Sequence, residues 1–207
     1  MGIIPTIDGS DLVVREGLVG RWMGGVGGTP ALGTVLDTSP KGNNGTCVGN
    51  AFVNQDGLQM DETGDILTVL ANLEPKTVCF WWKSTLSGAH RFIGNWPQWL
   101  VYAEGSTLNL GISGMGGRIL TTILANQWNH ICVTRGSTNT LMFVGGTLVG
   151  TTSTVSIEGG NIIFGEVSGY DCFLDGAISD ARIYNRALSA AEVKAIYNNT
   201  KWRHQNA

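Results

Sequence analysis

Charged side chains are scarce in this chain: Asp, Glu, Lys and Arg supply 14% of its 207 residues, and the formal net charge is −3. A chain this poor in cations has no basic field with which to hold a phosphodiester backbone, which argues against nucleic acid as a partner. Proline is rare, and no Pro-rich, Ser-rich or charge-rich stretch interrupts the chain, so one domain is expected. Long apolar runs are missing too, which excludes a membrane-spanning helix. The opening "MGIIPTIDGSDLVVREG" places acids where a signal peptide needs an unbroken apolar centre. The expectation is a chain that neither sits in a membrane nor exports itself.

Cysteine is limited to Cys47, Cys79, Cys132 and Cys172, with no C-x-x-C pair, so a zinc site is not indicated. Cys79 in "TVCFWW" and Cys132 in "HICVTR" fall inside apparent strands. They read as buried thiols or, if those strands pair, as a bridge. His90, His130 and His204 are too dispersed for a metal cluster or a triad. "DETGD" at 61–65 gathers acids around a glycine and reads as a solvated loop. "MGGVGG" lacks the following helix and the lysine of a phosphate loop.

Glycine, by contrast, is abundant, at 30 residues, which suits many short strands joined by tight turns. "KTVCFWWKS", "QWLVYAEG", "TLNLGIS", "QWNHICVTR", "TLMFVGGTLVGTT" and "NIIFGEV" are β-branched or aromatic runs bounded by turn residues. In "NTLMFVGGTLVG", Gly145-Gly146 can take the positive φ values of a two-residue turn between apolar flanks, which predicts a hairpin. Strands following one another without helices predict two packed antiparallel sheets. One exception closes the chain. Ser189 and Glu192 have the spacing of a capping box and Leu188 and Val193 that of a hydrophobic staple, so a short helix is expected, ending at Asn198 or Asn199 in a left-handed turn. Val193, Ile196 and Tyr197 form its apolar stripe, which must dock on the sheets because so short a helix is not stable alone.

"FLDGAISDARIYNRALSAAEVKAIYN" resembles the carboxy-terminal signature of laminin G-like domains of the concanavalin A-like lectin/glucanase superfamily. "GLVGRW", "LDTSPKGNNGT", "TVCFWWK" and "QWNHICVTR" agree with that family in order. The resemblance implies an all-β jelly-roll sandwich of two antiparallel sheets with one short C-terminal helix. It divides the chain into an arm over 1–16, a domain over 17–200 and a tail over 201–207. It also implies a structural calcium, and by resemblance Asp37, Gly42 and Asn43 in "DTSPKGNNGT" would hold it, with Asp180 arriving from the last strand. The alternatives are an Asn-Gly turn with both acids satisfied by main-chain donors, or a pairing of Asp180 with Arg182 on one strand face. A glucanase of this superfamily needs paired carboxylates on an E-x-D-x-E strand; none is written here, so no enzyme is expected.

Sugars stack on exposed aromatic faces. Trp81, Trp82 and Trp128 lie in apparent strands and read as core. In "NWPQWLVY", Pro97 breaks the strand, so Trp96 and Trp99, with Asn95 and Tyr170, are the expected glycan contacts. The short arm before "REGLVGRW" resembles the opening of laminin G-like chains found among bacteriophage virion proteins. The expected role is therefore a virion decoration or fibre protein that docks on a capsid or fibre, self-associates and binds glycans. The alternative is an extracellular calcium-dependent lectin. Ile3, Ile4 and Ile7 of the arm would cross to another subunit or add an edge strand to their own.

Overall fold

Short alternating segments punctuated by glycine build two antiparallel sheets. The computed structural model describes residues 14–23, 28–29, 33–61, 64–84, 90–95, 99–104, 109–114, 117–153, 160–165 and 174–204. The first strands are β1 (Leu18–Trp22), β2 (Gly28–Thr29), β3 (Thr34–Val35), β4 (Gly45–Val48), β5 (Phe52–Asn54) and β6 (Gly57–Asp61). Next come β7 (Ile66–Leu73), β8 (Thr77–Lys83), β9 (His90–Asn95), β10 (Trp99–Glu104), β11 (Asn109–Gly114) and β12 (Gly117–Thr122). The last are β13 (Asn129–Arg135), β14 (Asn139–Val144), β15 (Thr147–Ser153), β16 (Gly160–Phe164) and β17 (Asp175–Tyr184), followed by α1 (Ala190–Thr200) and a 3-10 turn over Lys201–Arg203. Among the described residues, one sheet runs β15-β14-β13-β8-β17-β6-β5, with β1 also paired to β17; the other runs β12-β11-β10-β9-β16-β7-β4-β3-β2.

Strand β8 shows how the middle of the first sheet is buried on both faces. Val78, Phe80 and Trp82 point into the sandwich, where they meet Phe92, Ile131 and Ile183. Cys79 points the other way, into a second cluster with Phe143, Tyr184, Leu188, Val193 and Ile196, and so lies beneath α1. Period-two alternation thus feeds two cores. Between the sheets, the hollow lined by Trp22, Val35, Leu58 and Phe164 has a volume of about 10 Å³. That is room for about one water, so the interior is packing and not a binding chamber.

Helix α1 begins as expected: the Ser189 hydroxyl accepts from the Glu192 N–H, and the Glu192 carboxylate accepts from the Ser189 N–H. Leu188 and Val193, the staple pair, are buried together. Its end differs from expectation. Asn198 and Asn199 stay helical and the chain tightens into the 3-10 turn, capped by Lys201 in a right-handed conformation. The Thr200 hydroxyl explains this, because it accepts from the Trp81 indole at 3.0 Å and donates to the Ile196 carbonyl at 2.8 Å, which carries the helix past the asparagines.

The hairpin forms at Gly145 and Gly146, with φ of 58° and 70°, the values a type I′ turn requires. Cys79 and Cys132 lie directly opposite each other on β8 and β13 and are joined by a disulfide, so the bridge is the arrangement found. Cys47 is a free thiol, half-buried, and burial raises its pKa. Asp65 departs from the solvated loop expected of "DETGD": it is buried and accepts from the N–H groups of Asn50 and Asp61.

Candidate functional site

The loop after β3 was a candidate calcium site, and its donor arrangement does not fit one. Asp37 Oδ1 accepts from the N–H groups of Arg21 at 2.8 Å and Ser39 at 2.7 Å. Its Oδ2 accepts from the Ser39 hydroxyl at 2.7 Å and the Asn43 N–H at 2.8 Å. The Asn43 amide donates to the Val19 carbonyl, and the Asn43 carbonyl accepts from the Trp22 indole. Gly42 turns the loop at φ +68° and its carbonyl accepts from the Asn44 N–H. Calcium needs six or more oxygens with free lone pairs. Here N–H and O–H groups already converge on the single carboxylate.

Asp180 is not brought to that loop's carboxylate. It occupies a bulge in β17, at φ 46°, which turns it onto the same face as Arg182. There it is buried between two guanidiniums, with Arg21 Nε at 2.7 Å and Arg182 Nη2 at 2.7 Å. Burial alone would raise its pKa; Arg182 and then Arg21 override that and hold the carboxyl well below the usual range. The same pairing raises Arg182 against the opposing effect of burial. A carboxylate already paired with two cations has nothing left to offer a third. Asp37 and Asp180 thus meet at one residue, Arg21, through its main chain and its side chain respectively.

Of the expected glycan contacts, Trp96 and Tyr170 lie outside the described residues, as do Ile3, Ile4 and Ile7 of the arm. Asn95 ends β9 and Trp99 begins β10, and the two are backbone neighbours in register. From Val14 the chain is held against its own domain: Val14 is buried under α1 and its carbonyl accepts from the Tyr184 hydroxyl.

A groove that sequence reasoning missed lies on the outer face of the first sheet. It has a volume of about 340 Å³ and is lined by Asp56, Gln59, Lys83, Trp128, Asp175 and Ala177. Its logic is in the register. Ala177 of β17 pairs with Gln59 of β6 on one side and Lys83 of β8 on the other. Trp128 lies one residue before the Asn129–Trp82 pair, so it continues this row past Lys83. The floor is low because Gly176 and Ala177 carry little side chain; a Cβ on Gly176 would fall 2.1 Å from the Lys83 carbonyl. A smaller hollow of about 60 Å³ shares Asp56 and Trp128 and adds Ser179, Arg203 and His204. His204 sets the wall, stacking on Trp81 at 4.3 Å and meeting Trp128 edge-on at 5.0 Å. Trp128 is half-buried, in contrast to the core role expected of it.

Several polar groups of the residues that line the groove are unbonded. Among the described residues, the Asp56 carboxylate, the Lys83 ammonium, the Gln59 side-chain oxygen and the Trp128 indole N–H have no hydrogen-bond partner. Asp175 Oδ2 accepts from the Ser84 hydroxyl at 3.2 Å. An indole beside donors and acceptors of both kinds can stack on a sugar face and bond its hydroxyls.

Two antiparallel sheets closed by a capped helix define a lectin-like β-sandwich. The chain belongs to the concanavalin A-like lectin/glucanases superfamily, whose laminin G family model matches residues 54–194. No curated protein matches it in sequence. Among solved structures it is similar to the sialidase of Trypanosoma rangeli, with TM-score 0.72 and 15% identity over 91% of this chain and 33% of that one. The receptor-binding domain of a botulinum neurotoxin C/D mosaic serotype matches with TM-score 0.70 and 15% identity over 89% and 52%. The binding domain of Paraclostridial Mosquitocidal Protein 1 matches with TM-score 0.63 and 16% identity over 88% and 52%. The chain therefore spans a third to a half of the length of these neighbours. At such identity the likeness is one of fold.

Proposed function

We propose that this protein is a non-catalytic attachment module that holds carbohydrate in the groove beside Trp128 while its body is carried on a larger assembly. The observation that supports this reading is the convergence on that groove of a half-buried indole with carboxylate, amide and ammonium groups free to bond hydroxyls. Glycoside hydrolysis needs two carboxyls across the scissile bond, one of them an acid enclosed by apolar surface. Asp56 stands exposed on the turn after β5 and lacks that enclosure. Two of the fold's neighbours are themselves binding domains of larger proteins.

The setting we propose is a virion surface, as decoration or fibre, with Ile3, Ile4 and Ile7 of the arm reaching a neighbouring subunit. Asn95, Trp96, Trp99 and Tyr170 would form a second glycan contact. The extracellular calcium-dependent lectin is the weaker reading, because the carboxylates it would use are already saturated. Affinity electrophoresis through gels containing soluble polysaccharides tests the attachment role. Retardation of the wild type, lost in Trp128→Ala, without release of reducing ends, is expected. Unretarded migration on every polysaccharide, or liberation of reducing ends, would overturn it.

A further inference from the structure

The groove's shape and charge narrow the ligand. We infer that it takes a neutral oligosaccharide of at least two rings, laid across the strands with one ring against Trp128. This rests on the attachment reading above. The row Trp128, Lys83, Ala177, Gln59 crosses four adjacent strands or their direct continuations, β13, β8, β17 and β6. Three inter-strand spacings make roughly 14 Å, more than one pyranose covers.

Polar groups reach along that length. By register Trp128 and Lys83 stand at one end and Gln59 at the other, across the low floor of Gly176 and Ala177, while Asp56 lines both this groove and the smaller hollow beside Trp128. A single ring on Trp128 leaves the Gln59 end to water. A second ring reaches it.

Charge gives acidic sugars no advantage. Counting both hollows, which share Asp56 and Trp128, Asp56 and Asp175 contribute two negative charges and Lys83 and Arg203 two positive ones, so the lining sums to zero. Sialyl, uronyl or sulfate groups bind where cations outnumber acids; here each cation shares its hollow with Asp56. Alternating donors and acceptors of this kind match hydroxyls, each of which both gives and takes a hydrogen bond. The arrangement also differs from a calcium-bridged sugar site, because no cation is needed to present it.

A glycan array bearing mono-, di- and trisaccharides, each neutral glycan beside its sialylated and sulfated forms, tests the inference with wild type, Trp128→Ala and Gln59→Ala. Neutral di- and trisaccharides should bind about tenfold more strongly than single rings. Both variants should lose about tenfold, and acidic forms should bind no better than their neutral parents. Stronger binding of acidic forms would overturn the inference, and so would a Gln59→Ala protein that binds like wild type. In both cases the attachment reading would stand. Retention of no glycan at all would remove that reading and this inference with it. Thermal unfolding of the variants confirms that lost binding is not lost folding.

Discussion

Replacing His130 with phenylalanine should flatten the acid limb of the protein's stability curve. His130 is buried in β13, its ring 5.1 Å from that of Trp81 and 5.7 Å from that of Tyr197. Its Nδ1 has no hydrogen-bond partner. Burial, then Arg182 and His204, push its pKa down from 6.5 to about 3, with Asp180 opposing. The folded protein therefore keeps this imidazole neutral while the unfolded chain protonates it near pH 6.5. Its contribution is complete above that value and is lost progressively as pH falls toward 3. By about pH 5 the loss is RT ln(1 + 10^1.5), about 2 kcal/mol. Asp180 and Glu192, both lowered in the fold, cost stability only as pH falls through the ordinary carboxylate range, and contribute a few tenths of a kcal/mol at most in this window, roughly. With an m-value of about 2 kcal/mol/M, the urea midpoint should fall by about 1 M between about pH 7.5 and about pH 5. His130→Phe keeps an aromatic ring against Trp81 and should lose most of that shift. His204, also lowered mainly by burial, leaves a residual slope. An unchanged slope in His130→Phe would refute the reasoning.

Three further outcomes follow from the same geometry. Asp180→Ala leaves Arg21 and Arg182 buried without their shared carboxylate and should cost about 3–5 kcal/mol in urea unfolding; a loss under about 1 kcal/mol would show that the triad is solvated. Reducing the Cys79–Cys132 bridge, which spans 53 residues of sequence, should lower stability by about 4 kcal/mol on the loop-entropy model. An unmoved midpoint in reductant would contradict that. Adding calcium or chelator should leave the melting temperature within about 1 °C, since tight binding to the folded state would raise it by several degrees.

Local signals were legible and long-range ones were not. The capping box, the Leu188–Val193 staple and the Gly145-Gly146 hairpin depend on residues within a few positions of one another, and each appears as read. The family resemblance extended that to the whole sandwich. What failed was whatever joins distant segments. Asp180 and Arg21 are 159 residues apart, so the loop chemistry around Asp37 gave no hint that the last strand's acid was already paired. The pairing with Arg182, two positions away, was visible as an alternative for the opposite reason. Trp128 reads as core in a one-dimensional pattern. Only the register of β13 on β8, and of β8 on β17, puts it beside Lys83 at the edge of a floor kept low by Gly176 and Ala177. Thr200 extending α1 past its asparagines is the same kind of miss, because its partner, Trp81, lies 119 residues away.

The central claim is that the groove beside Trp128 binds sugar. It is tested most directly by following the indole N–H resonances of the seven tryptophans in ¹⁵N-labelled protein titrated with a neutral disaccharide selected on the array. The Trp128 resonance should shift saturably, while that of Trp81, buried and bonded to Thr200, stays in place. Saturable shifts at other indoles with Trp128 unmoved would contradict the account.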